Sequence, residues 1–220
     1  MSRDRKRTKI IVAVLAVVIC AGLILERATW GNVDFLSMVA EGLDQPSVVF
    51  NKVIERIYKL SERQDIGKKL TTYLRENRKE HHHNLYIRIL GVLGDKRSAN
   101  DLLKIYVKYQ HDENHRSTIY RVVDSLGFIS NEEAVPVLER LLTNYDRLGV
   151  QVTQYTIARA LYLSTGKSQD YKNESGTASS LVVTKELLRA RQVIVASRDR
   201  KRTFDEMMVL ERLLRPPNHS

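Results

Sequence analysis

Leu90-Gly91-Val92-Leu93-Gly94-Asp95, followed by Ala99, Leu102, Leu103, Tyr106 and Val107, is written a second time as Leu126-Gly127-Phe128-Ile129-Ser130-Asn131, followed by Ala134, Val137, Leu138, Leu141 and Leu142. In each copy the apolar residues recur at helical spacing, pause at a Gly-Asp or Ser-Asn turn, and resume at helical spacing. That pattern predicts a helical hairpin used twice. A unit of this size has an apolar face too small to fold alone, and it is stabilised by stacking on its neighbours.

Fainter copies lie on both sides. Adding 33 to Ile54, Ile57, Leu60, Ile66, Leu70, Tyr73 and Leu74 gives Ile87, Leu90, Leu93, Ala99, Leu103, Tyr106 and Val107, a degenerate first repeat in register with the second. A partial fourth runs through Val152, Tyr155, Ile157, Ala158, Leu161 and Leu163 to Gly166. Its partner helix does not follow. Residues 167–180 are polar, with Gly176 and four serines, and read as a flexible loop. Two further helices are expected over 181–215, the second opened by a capping box of Thr203 and Glu206 and stopped by Pro216 and Pro217. Residues 216–220 are tail. The small residues have a packing explanation: Gly91 and Gly127 suit a close crossing of helices, and Gly94 or Asn131 can take the left-handed conformation at a helix end.

The amino-terminal region is of another kind. Residues 1–9 are a basic head in which Arg3, Arg5, Lys6, Arg7 and Lys9 are opposed only by Asp4. Sixteen uncharged residues follow, Ile10 to Leu25, and then Glu26 and Arg27. As a helix the uncharged run is about 24 Å long. Lys9 and Arg27 can snorkel and Trp30 can sit at the interface, so residues 10–27 are expected to span a membrane as a signal-anchor. Cleavage would need small residues at two positions that Glu26 and Ala28 do not both supply, and lipidation of Cys20 would need a small residue where Ile19 stands. The excess of positive charge before the run keeps the amino terminus in the cytoplasm. The rest of the chain is then extracytoplasmic, which in a Gram-negative bacterium is the periplasmic side of the inner membrane. Residues 28–46 include an amphipathic stretch with Val33, Phe35, Leu36, Val39 and Leu43, expected to cover the first repeat.

The chain has 220 residues and a formal net charge of +10, falling to +6 from Ile10 onward, so the helical part is mildly basic. The single cysteine, Cys20, lies in the apolar run and excludes an intrachain disulfide.

The hairpin unit, with Leu-Gly closing its first helix, Gly-Asp or Ser-Asn at the turn and Ala-x-x-Leu-Leu-type spacing on the second helix, resembles HEAT-like repeats of the short bacterial kind. The resemblance covers residues 47–166. It implies a short α-solenoid of HEAT-like hairpins, so that with the expected transmembrane helix before it the chain is all-α. Families of this type include protein-binding scaffolds, bilin lyases and alkylpurine DNA glycosylases. None of their catalytic motifs can be matched here, and the proline usual in the second helix is present only as Pro136.

Two constellations could bind something. Lys68, Lys69 and Arg75, then Lys104 and Lys108, then Arg140 and Arg147, fall on successive second helices, with Tyr109 among interleaved tyrosines. A solenoid gathers such residues on one concave surface, suited to an acidic protein segment, although Asp101, Glu139 and Asp146 dilute its charge. No nucleic-acid motif accompanies it. The second constellation is histidine-rich. His111 and His115 have the i, i+4 spacing of a metal pair if helical, and His82 is related to His115 by the repeat offset, so zinc or copper between repeats is the alternative. No Gly-rich phosphate loop, nucleophile elbow or extramembrane cysteine nucleophile occurs. The expectation is a non-catalytic, membrane-anchored interaction scaffold without a cofactor; a metal-handling protein or lyase-like enzyme on the same scaffold is the other reading. One oddity is left over: Ser2-Arg3-Asp4-Arg5-Lys6-Arg7-Thr8 recurs unchanged at Ser197 to Thr203.

Overall fold

The computed structural model describes residues 47–76, 83–130, 132–145, 152–173 and 175–214. By contacts the chain divides into two compact units, Met1–Val53 and Ile54–Ser220, and the described residues belong almost wholly to the second. The basic head, the apolar run, the amphipathic stretch, His82, Arg147 and the tail lie outside the described residues. Among those described, no helix is long and apolar enough to cross a membrane.

The described chain is predominantly helical. The helices are α1 (Ser47–Arg63), α2 (Ile66–Arg75), α3 (His83–Leu93), α4 (Ala99–Tyr109), α5 (Arg116–Ile129), α6 (Ala134–Thr143), α7 (Gln154–Thr165), α8 (Lys185–Ala196) and α9 (Phe204–Leu214). Capping chemistry fixes several of their starts. The Asp65 side chain accepts from the Lys68 amide, Thr153 from Thr156 and Thr184 from Leu187. At α9 the capping box forms reciprocally, with Glu206 Oε2 accepting from the Thr203 amide at 2.8 Å and Thr203 Oγ1 from the Glu206 amide at 3.3 Å.

The helices pack in chain order. Helix α3 lies on α5 and α5 on α7, while α2 packs on α3, α4 on α5 and α6 on α7. Close approaches recur at offsets of 34 and 33 residues. A Cβ added at Gly91 would stand 2.8 Å from the Ser125 Cα, and one at Gly127 2.8 Å from the Ala160 Cα, so these glycines let the helices cross at near-backbone contact. Ser125 Oγ donates to the Ile87 carbonyl at 2.9 Å, and Asn84 to Ser117 Oγ at 3.2 Å. Between these rows sit Tyr86, Ile87, Leu90, Leu102, Tyr106, Val122, Leu126, Phe128, Leu138, Ile157 and Leu161, all buried. Leu138→Ala is therefore expected to cost about 3 kcal/mol, since a methyl-branched side chain is removed from a site that can only partly collapse. Urea unfolding measures it, and a change within error would place Leu138 outside the core.

Three expectations are corrected. Val107, matched by register to buried Leu74, is 62% exposed, because α4 turns the end of its stripe outward. The left-handed residue closing α5 is Ser130 at φ 52°, one position before the expected Asn131, which lies outside the described residues; its hydroxyl, donating to the Ser164 carbonyl at 3.2 Å, ties the end of α5 to that of α7. Residues 167–180 do not form a plain loop: β1 (Asp170–Lys172) and β2 (Ala178–Ser180) pair antiparallel, with Tyr171 opposite Ser179. Gln154 on α7 accepts from the Lys172 amide at 2.7 Å and holds this ribbon against α7, where a flexible loop was expected. Helix α8 begins only at Lys185.

Candidate functional site

The end of α2, the start of α3 and the outer side of α4 enclose a hollow of about 340 Å³, lined by Leu74, Arg75, His83, Asp101, Lys104, Ile105, Lys108 and Tyr109. The helical period explains the set. Asp101, Lys104, Ile105 and Lys108 recur at three- and four-residue steps and share one side of α4.

Asp101 organises the hollow. Its side chain is 7% exposed, and Oδ2 accepts from both Arg75 Nε at 3.0 Å and Nη2 at 2.7 Å. Lys104 Nζ stands 3.8 Å from the other oxygen. This pairing raises the Arg75 pKa above its ordinary value through the hydrogen bonds and charge of Asp101. One buried carboxylate thus fixes two cations at the rim. With Lys108 the rim carries three positive charges against one negative.

Tyr109 forms the far wall. Lys108 Nζ bonds its hydroxyl at 2.7 Å and lies 4.5 Å from the ring centroid. The ring also stacks on His115 at 3.9 Å with planes 12° apart. His115 Nδ1 in turn meets Asp112 Oδ2 at 2.7 Å, and this contact lowers the Asp112 pKa. Leu74 and Ile105 add apolar surface. The arrangement offers cationic donors beside a small apolar hollow and holds no nucleophile with an adjacent base.

The hollow brings together Arg75, Lys104, Lys108 and Tyr109 from the basic constellation. Lys68 is exposed and Lys69 half-buried on the first turn of α2, and Arg140 is exposed on α6, so these three lie outside it. The histidine constellation takes another form. His111 lies in the turn after α4, and Glu113–His115 is a short 3₁₀ turn, so the two histidines do not share a helical face. Among the described residues no group of three His, Cys, Asp or Glu side chains is placed to hold a metal ion.

A second cluster, missed in the sequence, is built around Arg202. It is 4% exposed, and its guanidinium spans two helix ends: Nη1 donates to the carbonyls of Gly91 at 2.8 Å and Val92 at 3.0 Å, Nη2 to that of Phe128 at 2.5 Å. Nε donates to Ser197 Oγ at 3.0 Å. Helix carboxyl ends leave such carbonyls without intrahelical donors and carry partial negative charge, so one cation serves both. Burial pushes the Arg202 pKa down to about 10, which keeps it protonated at neutral pH. Neighbouring residues extend the device. Lys201 reaches the Ser61 carbonyl near the end of α1, and Arg191 Nη1 caps α7 through Leu163 at 2.6 Å and Ser164 at 3.1 Å. Arg200 grips Glu206 at 2.5 and 2.8 Å and holds its pKa down to about 2. The carboxyl-terminal SRDRKRT copy is thus a strap across helix ends. The amino-terminal copy lies outside the described residues.

No known protein family, curated protein or solved structure matches the chain.

Proposed function

We propose that this chain is a membrane-anchored, non-catalytic protein-interaction scaffold: a short α-solenoid of HEAT-like hairpins, held by residues 10–25, that binds an acidic segment of a partner protein. The repeat reading is supported by contacts that recur at offsets of 34 and 33 residues, Gly91 on Ser125 and Gly127 on Ala160. The observation that carries the binding reading is the hollow, where buried Asp101 holds Arg75 and Lys104 at the rim beside Lys108 and the apolar walls of Leu74 and Ile105. An acidic residue next to an apolar one is the chemistry that fits.

A photocrosslinker at Ile105, which lines the hollow, captures in native membranes whatever lies over this face. Reversing Lys104→Glu and Lys108→Glu together is expected to weaken capture about tenfold, and raised salt to weaken it in the same direction. Melting should be unchanged, because both side chains are at the surface. Undiminished capture by the double variant would move the site elsewhere.

The anchor has its own test. The charge flanks place the helical part outside the cytoplasm, on the periplasmic side of a bacterial inner membrane. A carboxyl-terminal reporter active only outside the cytoplasm is then expected to work. Activity of a cytoplasm-only reporter at that position would overturn the topology.

A further inference from the structure

Among the described residues, four of the six large apolar side chains left exposed fall within one short stretch: Val182 at 75%, Val183 at 40%, Leu188 at 46% and Val195 at 54%. The stretch enters and runs along α8, whose inner side is fully used. Leu187, Ala190 and Ile194 are buried at three- and four-residue steps, as expected of a helix with one stripe in the core.

Its outer side has a definite composition. At 100° per residue, Lys185, Leu188, Arg189, Gln192, Val195 and Ala196 fall within a sector about 120° wide, opposite the buried stripe. Two of these are large apolar residues, two are cations and none is an acid. Glu186, the one carboxylate of the helix, lies off this sector and lines a small cleft with Arg189 at the sector's edge and Val209, Arg212 and Leu213 of α9, so cations outnumber it there too. An outer face of this kind differs from an ordinary solvated one, which mixes charges of both signs around few large apolar groups. It also differs from a helix-binding groove, since it is a ridge flanked by long cationic side chains. Such a ridge suits a bilayer surface: valine and leucine side chains enter the headgroup boundary, while Lys185 and Arg189 keep their charged ends among anionic headgroups.

We propose that Val182, Val183 and the outer sector of α8 form a membrane-docking surface for anionic lipid, a second attachment beside the anchor at residues 10–25. This rests on the anchored reading, and charge complementarity selects the occupant. A docked α8 would fix which side of the stack faces away from the lipid and is open to a partner.

The test uses the full chain reconstituted into vesicles of phosphatidylcholine alone, or of phosphatidylcholine and phosphatidylglycerol in equal parts. Cys20→Ser removes the native thiol, and Val195→Cys carries an environment-sensitive dye; Asn100→Cys, exposed on α4, carries it in the control. The expected result is a blue-shifted emission at position 195, quenched by nitroxide-bearing lipid, in the phosphatidylglycerol vesicles only. Position 100 should show neither, and Lys185→Glu with Arg189→Glu should abolish both effects at 195. Emission at 195 equal to that at 100 in both vesicles overturns the proposal. So does a shift that grows with protein density and is indifferent to phosphatidylglycerol, which would mean that a second copy covers the ridge. Extraction of the chain from the same vesicles by alkaline carbonate reports on the anchor alone, so failure of the anchored reading is seen separately.

Discussion

Arg202→Ala is expected to cost about 3–5 kcal/mol, since a buried carbonyl that loses a charged donor costs about 1–3 kcal/mol and Val92 and Phe128 both lose one, while Gly91 keeps the Gly94 amide at 3.1 Å. The carbonyls of Gly91, Val92 and Phe128 would each lose their Arg202 bond at the ends of α3 and α5. The loss is larger than that of an ordinary cap because a single guanidinium joins two helices and the strap that follows α8. Lysine should recover only part of it: an ammonium has no planar fork with which to reach both helix ends. Gly94→Ala tests the same contact from the other side. Gly94 sits at φ 72°, and an added Cβ would come within 2.6 Å of the Arg202 Cζ, so the substitution both strains the turn and displaces the guanidinium. Equilibrium unfolding measures all three. A loss below about 1 kcal/mol for Arg202→Ala, the size of an ordinary surface effect, would mean that water replaces it at the helix ends.

Why this strap escaped the sequence reading is physical. Helical hairpins are local, and their apolar period, turn residues and capping box are visible within a dozen residues; Thr203 with Glu206 and the Gly91 and Gly127 crossings were all legible in that way. The targets of Arg202 are backbone carbonyls more than 70 residues away, and carbonyls carry no sequence signature. A run of Arg and Lys reads as a solvated charge cluster until its partners are placed. The one available signal was the unchanged recurrence of seven residues, which marks the segment without saying what it touches.

The candidate hollow was legible by half. Arg75, Lys104, Lys108 and Tyr109 followed from helical spacing and repeat register. Asp101 was read as diluting the patch, whereas it is the buried group that positions Arg75 and Lys104. Its burial depends on how α2 closes over α4, and periodicity alone does not separate a residue at the edge of a stripe from one outside it. The same limit explains Val107. The register assigned it to the core by analogy with Leu74, but the two helices are rotated differently about their axes, and a residue at the stripe's margin changes side.

The opposite kind of charge is found where α9 meets α3. Glu211 is fully buried and pairs with Arg88, whose side chain is 17% exposed; Arg88 Nε donates to Oε2 at 3.0 Å, and the second oxygen is met by Arg88 Nη2. Glu211→Ala is expected to destabilise by about 3–5 kcal/mol, because it removes one partner of a buried pair and leaves the Arg88 charge beside the space that the carboxylate filled. The pair itself need not be strongly stabilising. Both charges give up water, and the attraction between them offsets that desolvation only when both are present. Arg88→Met combined with Glu211→Leu should therefore lie within about 1 kcal/mol of the parent or above it, as buried pairs replaced by packed apolar side chains often do. The double variant separates two roles. If it folds with α9 still docked, the pair is one of several contacts holding the carboxyl-terminal helix, alongside buried Met207 and Leu210. If it loses α9 while α3, α5 and α7 remain helical, the pair sets where α9 sits, and with it the position of the strap that Thr203 joins to this helix. Hydrogen exchange across Phe204–Leu214 reads the difference directly, since an undocked α9 would lose its amide protection while the core kept its own.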